Sequence, residues 1–291
     1  MAHPRPDPRT VAPAVRRRGT HPGSVLRYII LTGMAVLLAG PLVWQLSLSL
    51  KGAGEPLYTQ PPRLIPEHPT LEHFSEVLHR IPVGHYLLNS LAVAAMAVVG
   101  NVVGATCAGY ALGMLRFRGR GVAAMICVAA LLVPSETVLI SQFLLIRSAG
   151  LVNTLFGVVV PTLVAALNVL LMRNAFSSLP KEFEEAAIVD GANAWQRFIR
   201  VSVPQVKGVI TVVAIFAFVG SWNDFLWPLI TLSDEDKYTL TVGLNRLRGT
   251  FYDDPRLIAA GTIIALVPIV IFFALLQRYF FRGLESGGLK G

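Results

Sequence analysis

The sequence predicts an all-α membrane protein with six transmembrane helices and both termini on the cytoplasmic side. Three observations carry this expectation. Hydrophobic residues make up 54% of the 291 positions and charged residues 14%, with a mean hydropathy of +0.59, which leaves too little polar surface to cover a water-soluble globule. Four runs free of Asp, Glu, Lys and Arg, at 28–50, 81–115, 148–172 and 257–277, each reach the roughly 20 residues that cross ~30 Å of hydrocarbon. Two more runs, 121–146 and 208–231, are each broken by one acid, Glu136 and Asp224. Finally, six spans with an inside N-terminus place 17 basic residues inside and 8 outside, accounting for all 25 Lys and Arg. The net charge of +8 is therefore topological bias and attraction to the lipid bilayer's headgroups, and calls for no nucleic acid.

The elements follow in order. Residues 1–24, with Pro4, Pro6, Pro8, Pro13, Pro22 and the run Arg16-Arg17-Arg18, have no apolar periodicity and read as a disordered basic cytoplasmic tail. Residues 25–50 form the first transmembrane helix, because its apolar run exceeds the 7 to 15 residues of a signal peptide. An extracytoplasmic loop, 51–85, contains His68, His73, His79 and His85 beside Glu67, Glu72 and Glu76. Their spacing fits no zinc motif, whereas Leu71, Phe74 and Leu78 recur with helical period. The expectation is an amphipathic helix capped at Thr70 with His and Glu facing water.

Residues 86–280 hold the five-helix core. Cys107 and Cys127 fall inside spans with no partner motif and read as small structural residues. Pro134 should kink the third span, either as a flexing point or as a static packing feature. Counted inward from Arg120 and Lys207, Glu136 and Asp224 lie 16 and 17 residues along, about 24 to 26 Å at ~1.5 Å per residue, near the outer edge of the bilayer. Intramembrane acids mark functional sites by default. Lining a cavity and holding the outer ends of spans three and five together remain equal readings. Trp222 and Trp227 flank Asn223 and Asp224; interfacial anchoring explains them more cheaply than stacking on a sugar.

Between spans four and five lies a polar loop, 180–208. Pro180-Lys181-Glu182-Phe183-Glu184-Glu185-Ala186-Ala187 places Pro at a helix start with acids in its first turn, so a short helix is expected. Gly191 permits a turn that other residues resist. A second helix over 194–202 would set Trp195, Phe198 and Ile199 on one side, and Pro204 marks the return toward lipid. Two short helices with Phe183 and Ile188 among carboxylates form a knob suited to a partner's groove; an ordinary self-packed loop is the plainer alternative.

The spacing Glu185-Ala186-Ala187, Asp190-Gly191, then Val201-Ser202-Val203-Pro204 resembles the cytoplasmic EAA loop of permease subunits of binding-protein-dependent ABC importers. The resemblance extends from about residue 25 to the end. Pro69-Thr70-Leu71, Asn89-Ser90, Gly150-Leu151-Val152-Asn153-Thr154, the segment 221–229 and the terminal 287–291 are similar to the carbohydrate branch, including the six-span permease subunit of the maltose system.

The resemblance implies the type I ABC importer permease fold and a set of partners. These are a second permease in a heterodimer, a cytoplasmic ATPase dimer that binds ATP and Mg, and an extracytoplasmic solute-binding protein. It also implies that Glu185, Ala186, Ala187, Asp190, Gly191 and Pro204 belong to the ATPase-coupling segment. No cofactor, metal or catalytic residue is expected in this chain, which lacks a G-x-x-x-x-G-K-[ST] phosphate loop. Asn89, Glu136, Trp222, Asn223 and Asp224 are candidates for the translocation path, 281–291 for a cytoplasmic tail, and a bacterial cytoplasmic membrane for the location. The alternative function is an ion-coupled secondary transporter, which would show inverted repeats and paired broken helices; the sequence displays neither.

Overall fold

The computed structural model describes residues 22–61, 63–248 and 254–288, and among these every regular element is helical. The chain divides into two compact units at Trp44. The first holds most of helix α1 (Pro22–Leu50), an apolar rod whose side chains stand open, Leu37 at 75%. The expected disordered tail lies outside the described residues up to residue 21, and the helix already begins at Pro22.

The second unit, from Gln45, is built around α3 (Val83–Gly113). It packs along α7 (Ala166–Ser177) and α11 (Lys207–Asn223), and α11 in turn lies against α14 (Pro255–Gly288). The α3–α7 approach is close enough to require glycine: a Cβ at Gly109 would sit 2.4 Å from the Met172 Cβ and 2.8 Å from the Arg173 nitrogen. Small residues substitute for a hydrophobic driving force where helices meet in lipid, because they let backbones gain dispersion contact. The helix α14 runs on to Gly288, so the tail expected from residue 281 is helical for most of its length; 289–291 lie outside the described residues.

Among the described residues, only α1, α3 and α14 are unbroken helices long and apolar enough to cross a membrane. The other three spans are interrupted, where the sequence led to the expectation of a kink at Pro134 in the third alone. The third bends by 97° between α4 (Arg120–Leu132) and the stretch Ser135–Ser148, a 3₁₀ turn followed by α5 (Leu139–Ser148). Pro134 lies in the gap in an extended conformation (φ −60°, ψ 132°), so the helix ends and the chain turns through about a right angle where a kink was expected. The fourth bends by 47° between the stretch Leu155–Thr162, which starts with α6 (Leu155–Val159), and α7. Span five stops at Asn223 and resumes as α12 (Leu226–Thr231).

Asn101 of α3 sustains the break in the fourth span. Its Nδ2 donates to the carbonyls of Thr162 (2.7 Å) and Ala97 (3.0 Å), and its Oδ1 accepts from the Ala165 N–H (2.9 Å) and from Asn168 Nδ2 (2.8 Å). One side chain thus takes over backbone groups on both sides of the interruption, which lipid could not satisfy.

The segment 51–85 belongs to the compact unit instead of standing apart from it. Here α2 (Glu72–Arg80) rests on α14. Buried Arg256 donates to the Glu55 carbonyl (2.6 Å), and His73 is buried with Nε2 3.0 Å from the Lys51 carbonyl. The water-facing expectation is therefore wrong for His73, because the face it shares with Val77 is the packed one. Thr70 is not the N-cap, although its hydroxyl accepts the Glu72 N–H at 3.1 Å.

At the same end, Asn153 adopts φ 61° and clasps the loop after α12. Its Oδ1 accepts the N–H groups of Ser233 and Asp234, while its Nδ2 donates to Asp234 Oδ2 at 2.7 Å. Asn89 Nδ2 adds bonds to the carbonyls of Asp236 (2.8 Å) and Tyr238 (3.0 Å), just ahead of α13 (Leu240–Asn245). The Asn153 amide, and then Lys237, hold the Asp234 carboxyl below its ordinary value.

Two outcomes follow from this packing. Gly109→Val should destabilise the protein by about 1–3 kcal/mol through forced separation of α3 and α7, while Gly84→Ala, which meets nothing within 4 Å, should melt with the wild type. Thermal unfolding in detergent distinguishes them, and coincident melting of Gly109→Val with wild type would refute the close-approach account. The Asp234 clasp is a lowered-pKa group, so its contribution is complete well above about pH 4 and fades as pH falls through the depressed value. Asp234→Asn should flatten that acid-side slope of the melting temperature slightly, as befits an exposed pair.

Candidate functional site

Two regions carry the sequence's candidate residues: the hairpin between spans four and five, and the interrupted middle of the bundle. The hairpin's first arm is α8 (Lys181–Val189), with Pro180 before it and Glu182 and Glu184 in its first turn. It closes with a Schellman turn: the Gly191 N–H reaches the Ile188 carbonyl (3.0 Å), the Ala192 N–H reaches the Ala187 carbonyl (2.9 Å), and Gly191 has φ 76°. The next helix, α9 (Ala194–Gln196), opens on a capping box in which Asn193 Oδ1 accepts the Gln196 N–H and Gln196 Oε1 accepts the Asn193 N–H, both at 2.9 Å. Asn193 and Gln196 passed unnoticed in the sequence, although their N-x-x-Q spacing was there to find.

The second arm is not the simple helix expected over 194–202. Arg197–Ser202 is a π-helical turn leading into α10 (Val203–Gln205), which holds Pro204, and the chain then bends by 80° into α11. Phe198 plugs the arm into the bundle, its ring 4.8 Å from Tyr110 and 6.4 Å from Phe176. Arg197 ties the arms together, donating to the Ala192 carbonyl (3.0 Å) with its Nε 3.6 Å from Glu184 Oε1. Ala187 is buried, whereas Glu185, Ala186, Asp190 and Gly191 are exposed. Phe183 and Ile188 stand open as expected, joined by Val189 at 87% and Trp195 at 67% exposure. An apolar surface of this kind, fringed by carboxylates and held on a stiff turn, has the composition of a docking knob.

In the middle of the bundle the structure brings together only two of the five path candidates. Glu136 and Asp224 line one cavity of about 620 Å³, with Gln142, Thr162 and Trp227 among its walls. A second cavity of about 260 Å³ shares Asp224 and Thr162 and adds Asn101, Asn168 and Ser221. The depth count for Glu136 assumed a straight helix; α4 ends at Leu132, and the chain has turned before Glu136 is reached. Asp224 also has a structural task, its Oδ1 accepting the Trp227 N–H at 3.3 Å where α12 begins.

The remaining candidates lie elsewhere. Asn89 is spent on the clasp with the loop after α12, and exposed Asn223 lines neither cavity. Trp222 and Trp227 are 3% and 6% exposed, with indole N–H groups bonded to the carbonyls of Ala265 and Gly157. Trp222 stacks on Phe218 and lines neither cavity, so neither interfacial anchoring nor a sugar-stacking platform fits it, whereas Trp227 is among the walls of the larger cavity. The asparagines 101 and 168 escaped notice because uncharged amides do not interrupt an apolar run.

Comparison with known proteins agrees with this geometry. Residues 100–286 match the family model of the binding-protein-dependent transport system inner membrane component. The arabinooligosaccharides transport system permease protein of Halalkalibacterium halodurans is 35% identical over 203 residues, covering 70% of this chain and 73% of its own. The galactooligosaccharides transport system permease protein of Bacillus subtilis is 29% identical, with 91% and 94% covered. The fold is shared with the crystal structure of a bacterial ABC transporter involved in the import of the acidic polysaccharide alginate, at a TM-score of 0.76 and 24% identity over 89% of this chain and 96% of that one. The chain belongs to the inner-membrane permease components of binding-protein-dependent ABC transport systems, within the sugar-transporting branch.

Proposed function

We propose that this chain is one of two non-identical permease subunits of an ATP-driven sugar importer in a bacterial cytoplasmic membrane, and that it works as a gate. Both termini and the hairpin face the cytosol, in keeping with the split of basic residues. The hairpin seats in a cleft of a partner ATPase dimer, which binds ATP and Mg and does the hydrolysis. A solute-binding protein delivers the sugar at the opposite face. Closure of the ATPase halves would draw the bundle from an inward-facing to an outward-facing arrangement. The second permease completes the path along the open surfaces of the interrupted spans.

The observation that carries this reading is the hairpin itself. Its apolar side chains are exposed although the fold is able to bury Phe198 and Ala187 from the same segment. An ion-coupled transporter would need no such knob, and family membership weighs against it.

The test is co-purification of the chain with an ATPase subunit co-expressed from the same transport system. Wild type should retain the ATPase. Glu185→Lys and Gly191→Pro should lose it by at least about tenfold, the second because Pro cannot adopt φ 76° and removes the N–H that bonds Ile188. Asn193→Ala, costing about 1 kcal/mol of cap, should weaken retention partially. Equal recovery with all three variants would overturn the docking assignment.

A further inference from the structure

Cations gather where the turn between α3 and α4 meets the first arm of the hairpin. A cavity of about 600 Å³ lies between the two, and Arg116, Arg120 and Lys181 line it together with Glu184 and Glu185. From α8 come Lys181, Glu184, Glu185 and Ile188, at the i, i+3, i+4 and i+7 spacing of one helix face. Arg120 is fixed in place. Its Nη2 donates to the Gly113 carbonyl (3.0 Å) and its Nη1 to the Leu115 carbonyl (3.2 Å), which leaves further N–H groups of the same fork to spare.

The charges around this cavity do not cancel. Arg116, Arg120 and Lys181 form no ion pair among the described residues, although Lys181 and Glu185 stand four apart on one helix. Glu184 is turned to Arg197, whose Nε lies 3.6 Å from its Oε1. One carboxylate, Glu185, is left against three cations. Two guanidinium forks and an ammonium around a single space suit a phosphate, because each planar fork can grip two oxygens at once.

The turn itself says more about the ligand. It reads Leu115-Arg116-Phe117-Arg118-Gly119-Arg120, with Leu115 and Phe117 exposed between the arginines, and Met114, Leu115, Leu179 and Ile188 give the cavity an apolar wall. A bare ion has no use for that wall, whereas a phosphate ester with an apolar body does. The turn follows directly on the end of α3, a helix long enough to cross the membrane, and so lies near the depth of the bilayer's phosphates.

We propose that this cavity is a phosphate-ester site, filled by the headgroup of an anionic phospholipid or by a soluble phosphate ester. The bound phosphate braces the first arm of the hairpin against the α3–α4 turn through Arg116, Arg120 and Lys181. The site goes beyond the gating reading and stands whichever side of the membrane the hairpin faces.

The experiment measures how much radiolabelled phosphatidylglycerol stays with the full-length protein and its bound partners through gel filtration in detergent. Dioleoylglycerol, which has acyl chains and no phosphate, is the comparison. Wild type should retain phosphatidylglycerol at least about tenfold better. Arg116 and Lys181 are exposed and make no side-chain hydrogen bond among the described residues, so Arg116→Gln and Lys181→Gln should melt with the wild type. Each should lower phosphatidylglycerol retention by about three- to tenfold. Arg118→Gln removes an equal charge from the same turn but from outside the cavity, and should lower retention by less than about twofold.

Phenyl phosphate as a soluble competitor separates the two sources. If it displaces the lipid, soluble esters share the site; if it does not while the cavity variants still act, the ligand is the lipid headgroup. Equal retention of the two lipids would overturn the proposal. So would Arg116→Gln and Lys181→Gln variants that retain as much phosphatidylglycerol as wild type, or a loss with Arg118→Gln as large as theirs, which would mark a merely charged surface.

Discussion

A helix inside lipid can be interrupted only where other protein groups take over its freed hydrogen bonds, and the middle of this chain depends on that substitution. Asn101 makes it for the fourth span, serving the Thr162 carbonyl and the Ala165 N–H from a neighbouring helix. Trp227 bonds the Gly157 carbonyl in the same span, and Thr241 donates to the Asp224 carbonyl where the fifth span stops. The repairs have a structural by-product. Helix ends that would otherwise run past each other diverge, and the space between them becomes the pair of cavities that Asp224 and Thr162 share. Polar groups recruited to mend the backbone thus end up as cavity walls.

Much of this was legible in the sequence, and the parts that were not share a cause. Apolar run length found each region that crosses the bundle, because hydrophobicity is a local property of the chain. The hairpin was readable as well, since Pro180, the first-turn acids and Gly191 each act through backbone geometry within a few residues. What the sequence concealed was direction. The position of Trp222 in a polar cluster suggested a ring near water or solute, yet α14 covers it and takes its N–H. His73 sits among acids, yet the face of α2 that carries it is packed inward. Glu136 was misplaced by a count along a helix that Pro134 had already ended. Each of these depends on which neighbour lies across the gap, and that information is spread over residues far apart in the chain.

The hairpin and the cavities are joined by one stretch of backbone. Beyond the bend at Val206, α11 runs 17 residues without interruption, about 26 Å at ~1.5 Å per residue, and Asp224 follows at its end. On the proposed reading, force applied to the hairpin's exposed face would act through its second arm. That arm is stiffened by the Schellman turn, the capping box and Arg197, and is seated in the bundle by Phe198. A soft loop would absorb such a displacement within itself. A loop whose hydrogen bonds are spoken for passes the displacement on. The tight α3–α7 pair offers the opposite quality, a frame too closely packed to slide at Gly109 without a clash. On the proposed reading, the smaller cavity lies where the rod α11 meets the frame. Asp224 on the rod's end, and Asn101 and Asn168 on the frame, are the groups that face the smaller cavity. On that reading, a shift of α11 would move the Asp224 carboxylate relative to the two amides, so the shape of the smaller cavity would follow the position of the rod.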